Sequence, residues 1–367
     1  MKIKRLHKNI SVMKRTVLFL AALATLTCGW AQNLNKKEAK ALQTYLEQPA
    51  AKGGTNAQAL GVAPNAAAAA PGIKIENGHV TEIDWKGKDL AGSLNLSNFP
   101  ALAKLDVSNN KIVSLTIDNA PALVEVNAAK NSIHTVTITD APQMQNLRLQ
   151  RNRIAEFDLS TMPLLKKFNI SSNHIEALDV SGLVNLEYLN VMSNKLVSLN
   201  VSQCQSLKNL YAAYNKINSL TLDGLVKLEN LNVNSNQLTK FYVQDLPALA
   251  TLLASDNHMT DVAVKGCQAI NQIWVPYNSL TSFTVADAPA LAFVNVEWNN
   301  LSYLNLSNLN FLQQLNAANN QLITLDVTFD PNLRVINVTN NDLLNDLRTQ
   351  GDTLLAHVIG YDSDWMF

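Results

Sequence analysis

Cysteine is nearly absent from this chain: there are three in 367 residues, Cys28, Cys204 and Cys267. So few exclude a disulfide framework, and without a CxxC pair the usual cysteine-based metal and redox motifs are excluded too. Charge of one sign is also missing. Lys plus Arg and Asp plus Glu number 29 each, so nothing in the balance invites nucleic acid or an anionic membrane. Long apolar runs are lacking. The one near the N-terminus, residues 17–26, holds about ten residues, too few to span a bilayer stably. No GxSxG, HExxH or phosphate-loop sequence occurs, so the chemistry those spacings build has no foothold. The expectation is a non-enzymatic protein that uses no cofactor or metal.

What the chain does have is a period. Asn110, Asn131, Asn152, Asn173, Asn194, Asn215, Asn236, Asn257, Asn278, Asn299, Asn320 and Asn341 follow one another at an unbroken interval of 21 residues. A fixed period of this length marks a solenoid of stacked units. Around the first asparagine, Leu102, Leu105, Val107, Ile112, Leu115 and Ile117 are apolar. Leu105 and Val107 are two apart, so in a strand they share one side while Lys104, Asp106 and Ser108 take the other. Leu115 and Ile117 repeat the alternation and predict a second short strand on the opposite flank. One unit cannot bury its apolar side alone, but stacked units build a continuous apolar column. A buried amide must find hydrogen-bond partners, which suits the asparagines to a structural ladder.

Equivalent residues in a stack are about 4.8 Å apart per coil. Cys204 and Cys267 are three repeats apart, roughly 14 Å, beyond the reach of a disulfide. They share their position with Ala120, Ala141 and Leu183 and read as buried fillers. His174 and His258 lie four repeats apart, roughly 19 Å, too far to share a metal. Asp158, Asp179 and Asp326 read as solvated charges on the outer flank.

The pattern LxxLxLxxNxL resembles the leucine-rich repeat over residues 80–348. A 21-residue period with strand-like sequence on both flanks is similar to the short repeats of bacterial internalin-like proteins. The resemblance implies a curved repeat solenoid with a parallel β-sheet on its concave face, short strands and turns on its convex face, and little helix. It also implies that the ladder asparagines bond turn backbone within and between coils. Some internalin relatives carry cysteine where this chain has Val107, Ala128, Ile170, Val191 and Ala212, so a cysteine ladder is not expected.

The ends depart from the repeat. Lys14 and Arg15 precede the apolar run, and Gly29-Trp30-Ala31 offers a small-x-small cleavage site, so residues 1–31 read as a secretory signal, with Met13 an alternative start. Thr27 stands before Cys28 where a lipoprotein signal would carry a small residue. Residues 32–49 predict a helical segment, with Ala39, Leu42, Tyr45 and Leu46 on one face and Lys36, Lys37, Glu38 and Lys40 outside. Residues 50–73, rich in Ala, Gly and Asn, read as a flexible linker. The repeat domain then spans 74–348, with an N-terminal cap at 74–100 in which Ile83, Trp85, Lys88 and Leu90 match a repeat at an offset of 22. Asp346 and Arg348 stand where the apolar column needs leucine, and residues 349–367, which include Leu354, Leu355, Val358, Ile359 and Trp365, read as a C-terminal cap or tail.

Function, in this reading, is carried by strand residues facing away from the core. In the first coils these include Lys104, Glu125, Lys130, Arg148, Arg151 and Lys167, a mostly basic stretch. From the fifth to the tenth coil the outward positions hold Tyr188, Met192, Tyr211, Tyr214, Leu253, Trp274, Tyr277, Phe293 and Trp298. A solenoid has no core use for aromatics there. Cross-strand packing is one reading; a ligand-binding face is the other, since Tyr and Trp dominate interface hot spots. A protein partner and a glycan both fit it. The expectation is a secreted or cell-envelope protein, periplasmic or at the cell surface, that binds a protein of unknown identity or a glycan, without nucleic acid and without a transmembrane span.

Overall fold

The computed structural model describes residues 34–360. They form two compact units, one reaching Gln143 and one starting at Met144, and each is a solenoid of short parallel strands with little helix. The expected leader and Trp365 lie outside the described residues. Among those described, no helix is long and apolar enough to cross a membrane.

In the first unit, helix α1 (Lys36–Leu46) starts at Asn35, whose side chain accepts the backbone N–H of Lys37 and Glu38 and so caps the first turn. Leu42, Tyr45 and Leu46 are buried, as their spacing predicts. Tyr45 stacks on Trp85 with ring centroids 5.9 Å apart. The sequence placed Glu38 outside, but it is buried. Its carboxylate accepts the Val80 N–H at 2.8 Å and lies 2.6 Å from His79 Nδ1. A charge is tolerated there because strand His79–Asp84, second in an antiparallel hairpin with Ile73–Glu76, presents donors to it. Ile83, Leu105 and Val126 then pair in register across parallel strands, and Leu94, Leu115 and Val136 do the same on the opposite flank.

Residues 50–73 are not a flexible linker. They fold into a compact plug containing helix α2 (Asn56–Ala59), which opens with a capping box between Thr55 and Gln58. Asn56 is fully buried; its Nδ2 donates to the carbonyls of Tyr45 and Ala91 at 3.0 and 2.9 Å, and its Oδ1 accepts the Ala91 N–H at 3.0 Å. Ala57, Leu60, Ala67 and Ala70 are buried, and Trp85 Nε1 donates to the Pro71 carbonyl. The alanines that suggest a linker by composition are the small side chains that let this segment pack closely.

In the second unit, strands such as Lys167–Asn169, Tyr188–Asn190, Asn209–Tyr211, Asn230–Asn232 and Thr251–Leu253 pair parallel and in register. Their middle residues, Phe168, Leu189, Leu210, Leu231 and Leu252, form one buried column. The other flank carries two three-stranded sheets. One is Lys240–Gln244, Asp261–Lys265 and Ser282–Ala286; the other is Tyr303–Asn305, Thr324–Asp326 and Asp346–Arg348. Asn215 illustrates the ladder. Its Nδ2 donates to the carbonyls of Ala212 in its own coil and Val191 in the preceding one, at 3.1 and 3.0 Å, while its Oδ1 accepts the Leu196 N–H at 3.0 Å.

The C-terminal end differs from expectation. The apolar column does not stop at Asp346 and Arg348. A one-residue insertion shifts the register, so that Leu347 lies opposite Leu325 and the strand continues the sheet. Residues 349–360 do not fold over the last coil; His357–Ile359 pairs parallel with Val335–Asn337 and starts another one. The insertion turns Leu343 outward, where it is 62% exposed, and brings Leu344 partly inside.

Cys204 and Cys267 are free and buried. Burial pushes the Cys204 thiol up to about 11 and raises that of Cys267 as well. Because the thiolate is the reactive form, both are expected to react with an aromatic disulfide reagent only as the protein unfolds. Rapid titration of either thiol in the folded protein would contradict this packing.

Candidate binding face

Each main strand of the second unit sends its middle residue into the core and its flanking residues to solvent. The position after the strand's middle is most often Asn or Asp: Asn169, Asn190, Asn232, Asn295, Asn316 and Asn337, joined in the first unit by Asp106 and Asn127. Each of these accepts the backbone N–H two residues on, as Asn190 does from Met192 and Asn295 from Glu297, at 3.1 and 2.9 Å. This outer column pins the turn that follows the strand. In the sequence it is a second Asn/Asp series at 21 residues, less visible than the unbroken one because Arg, Tyr, Leu and Trp interrupt it.

Against that column the exceptions stand out. Arg148, Tyr211, Leu253 and Trp274 occupy it in place of Asn or Asp. The turns adapt: the Ser255 N–H goes to Asn234 Oδ1 of the preceding coil at 2.8 Å, and the residue two beyond Trp274 is Pro276, which has no N–H to satisfy. Position 274 is thereby released from its turn-building task.

A second constraint falls on the residue before each ladder asparagine. In all twelve coils it is left-handed, with φ between 54° and 59°. Asn, Asp and Gly tolerate that conformation; bulky residues do not. Asn109, Asp256, Asn319 and Asn340 follow the rule; Lys130, Arg151 and three serines depart from it, and the rings of Tyr214, Tyr277 and Trp298 break it at φ of 58°, 54° and 54°. Their rings are 59%, 55% and 51% exposed, so no core burial compensates. Tyr277 and Trp298 stack with centroids 5.9 Å apart and planes 12° from parallel. Such a pair is worth about 0.5–1.5 kcal/mol, whereas each strained residue costs about 1–3 kcal/mol. The stack does not repay the strain.

The remaining expected residues lie on the same strands. Tyr188 and Tyr211 approach to 5.6 Å across adjacent strands. Burial, with Tyr188 beside it, raises the Tyr211 phenol above its ordinary range. Leu253 pairs opposite Trp274, and Gln272 opposite Phe293. Phe293, Met192 and Leu253 are half-buried, so they brace the face more than they project from it. Beside Trp298, the Glu297 carboxylate accepts the side-chain amides of Asn295 and Asn316 at 3.2 and 2.8 Å, a fixed negative charge at the edge of the aromatic cluster.

Of the expected basic stretch, Arg148, Arg151 and Lys167 fall in the second unit, where they are exposed, and in the first unit Lys104 stands among carboxylates. A hollow of about 240 Å³ there is lined by Glu82, Asp84, Asp106 and Glu125 alongside Lys104. Lys130 instead occupies the left-handed turn position. The sequence reading pooled strand and turn positions, which the fold separates. Among the described residues no cluster of His, Cys, Asp or Glu is arranged to hold a metal ion.

No protein-family model matches the chain, and no curated protein does. Solved structures do match its fold. The functional domain of the internalin InlJ from Listeria monocytogenes, which includes a cysteine ladder, is 26% identical with a TM-score of 0.50, over 60% of this chain and 51% of that one. This chain therefore spans about half of that protein's length. An internalin, InlF, from the same organism is 19% identical with a TM-score of 0.51, covering 74% of this chain and 86% of its own. The leucine-rich effector protein YopM from Yersinia pestis is 24% identical with a TM-score of 0.55, covering 73% of this chain and 76% of its own.

Proposed function

We propose that this chain, a leucine-rich-repeat solenoid whose structural neighbours are internalins and other bacterial repeat proteins, is a non-enzymatic recognition module that binds a protein through the aromatic face of its second unit. One observation carries the reading. Exposed aromatic rings occupy left-handed backbone positions at 214, 277 and 298 where asparagine would cost less. Strain kept where it does not help the fold points to a task outside it. Exposed Tyr and Trp side by side are the residue types that anchor protein partners. The charged leader-like segment ahead of residue 31 supports a location outside the cytoplasm, in the envelope or secreted. Carbohydrate is the second reading, favoured by the flat Tyr277–Trp298 stack lying beside the fixed Glu297 carboxylate.

Replacing Trp274 and Trp298 with Asn separates support from recognition, because Asn is the common residue in the first column and suits φ of 54° in the second. The double variant is expected to melt at or above the wild-type temperature. Partners selected from a display library of surface proteins should bind it about thirtyfold or more weakly, the loss typical of a hot spot. A variant that melts early would make the rings structural braces. Retained binding would move the site elsewhere, and loss of signal on a glycan array alone would favour the second reading.

A further inference from the structure

We propose a second binding site on the opposite flank of the second unit, an opening between Ser282–Ala286 and Tyr303–Asn305 that receives an extended polypeptide segment from a partner protein. The two flanking sheets end at this opening. Ser282–Ala286 pairs with Asp261–Lys265 over five residues, and Tyr303–Asn305 pairs with Thr324–Asp326 over three. Among the described residues no backbone hydrogen bond joins residues 282–287 to residues 303–307. The same two coils are nonetheless joined just upstream, where Asn300 N–H donates to the Leu280 carbonyl and Leu280 N–H to Asn299 Oδ1, both at 2.9 Å. The coils therefore part only along this stretch.

The onward bonds of the preceding coils show what is missing. Asp245 N–H reaches the Lys265 carbonyl and Gly266 N–H the Ala286 carbonyl, at 3.0 and 3.2 Å, but Asp287 N–H makes no such bond to the next coil. Two strand edges are left without each other as partners. The gap is a cavity of about 450 Å³. Val285 at its floor is half-exposed, whereas Val243 and Val264 at the same coil position are buried. Backs of coils elsewhere in the unit also lack strand pairing, at residues 154–222, but Leu159, Val180, Val201 and Leu222 stay buried there. Among the described residues at this coil position Val285 alone is half-exposed, although Phe157 and Leu220, two residues earlier in their own coils, are half-exposed as well.

The lining sets the ligand class. Ser282, Thr284, Tyr303, Asn305 and Ser307 rim the gap over Phe283 and Val285, and no charged side chain is among the lining residues. An anionic ligand finds no cation there. Unpaired strand edges present alternating N–H and C=O groups, which a peptide backbone matches in register. Its side chains would alternate between the Phe283 and Val285 floor and the hydroxyl rim, so the segment that fits is uncharged, with an apolar residue at every second position.

A fluorescent hexapeptide carrying residues 303–308, Tyr-Leu-Asn-Leu-Ser-Asn, is a suitable probe, because an intact ladder would lay that segment against Ser282–Ala286. It is expected to bind the full chain saturably, a scrambled peptide at least tenfold more weakly. Bound peptide should slow hydrogen exchange at the amides of Phe283, Val285 and Asp287 while leaving the main strands unchanged. Thr284→Arg, on the exposed rim, should weaken binding at least tenfold, and the Trp274 and Trp298 substitutions should not affect it. The proposal is overturned if those amides already exchange as slowly as the one at Val264 in the free protein, or if the peptide binds without protecting them. It is equally overturned if a glycan mixture, and not the peptide, gives that protection.

Discussion

Asn215→Ala is expected to destabilise the second unit by about 2 kcal/mol, within the range for a buried group deprived of its partner. The reason lies in which groups it joins. Its side chain donates to carbonyls in two successive coils and accepts the Leu196 N–H, at distances of 3.0–3.1 Å. Truncation leaves the Leu196 N–H of the coil below facing a methyl group, while the Val191 and Ala212 carbonyls keep the side-chain amides of Asn194 and Asn236. Neighbouring coils cannot close over the deficit, since each repeat contacts little besides its neighbours. Asn218→Ala, three residues away on an exposed position, should cost less than about 0.5 kcal/mol. Hydrogen exchange across the flanking coils is the sharper measurement, because a solenoid can open locally before it unfolds. Equal effects of the two substitutions would remove the ladder's structural role. A variant that opens only between the coils of Asn194 and Asn215 would support it most directly.

How far the sequence could be read depended on whether a residue repeats. The core columns were visible because each recurs at 21 residues and alternates as a strand requires. Trp274, Tyr277 and Trp298 could be placed on the outer face from the same register. Three things could not be read, each for a physical reason. The plug at residues 50–73 is held by Asn56 and small alanines, and neither hydrogen bonds nor close approach shows in composition. The left-handed turn position is a backbone property, so Tyr214 and Trp298 looked like ordinary surface residues until φ was known. The C-terminal register depends on a single inserted residue, and a one-residue shift reverses which side chains face the core. That is why Leu343 looks like a core leucine in the sequence and is exposed in the fold.

Acidification from about pH 8.5 to pH 5 is expected to stabilise the C-terminal coils by on the order of 2 kcal/mol, the reverse of ordinary acid unfolding. Asp330 is the cause. It occupies the buried coil position held by Leu183, Leu225 and Leu246 elsewhere. Its Oδ1 accepts the Leu309 N–H at 2.6 Å and its own N–H donates to Asp352 Oδ1 at 2.8 Å, while Oδ2 of each carboxyl is buried without a partner. Burial pushes the Asp330 carboxyl up to about 7, against the Leu309 hydrogen bond and with help from the nearby Asp352 and Asp326 charges. Burial also raises Asp352. A raised carboxyl holds its proton in the folded state at pH values where the unfolded chain has released it. Stability therefore falls as pH climbs from the ordinary carboxylate range through about 7, and is regained on the way down. Asp179, Glu187 and Asp346, held low by Ser181, Lys208 and Arg348, act in the opposite sense, but only as pH drops below the ordinary carboxylate range. Asp330→Asn keeps an acceptor for the Leu309 N–H and removes the titrating group. It should flatten the profile between pH 5 and 8.5 and leave the variant more stable than wild type at the alkaline end. Exchange rates of amides in residues 324–348, followed across that range, decide the matter. Coils that open more readily at pH 5 than at pH 8.5 would show that Asp330 is ionised and satisfied where it stands.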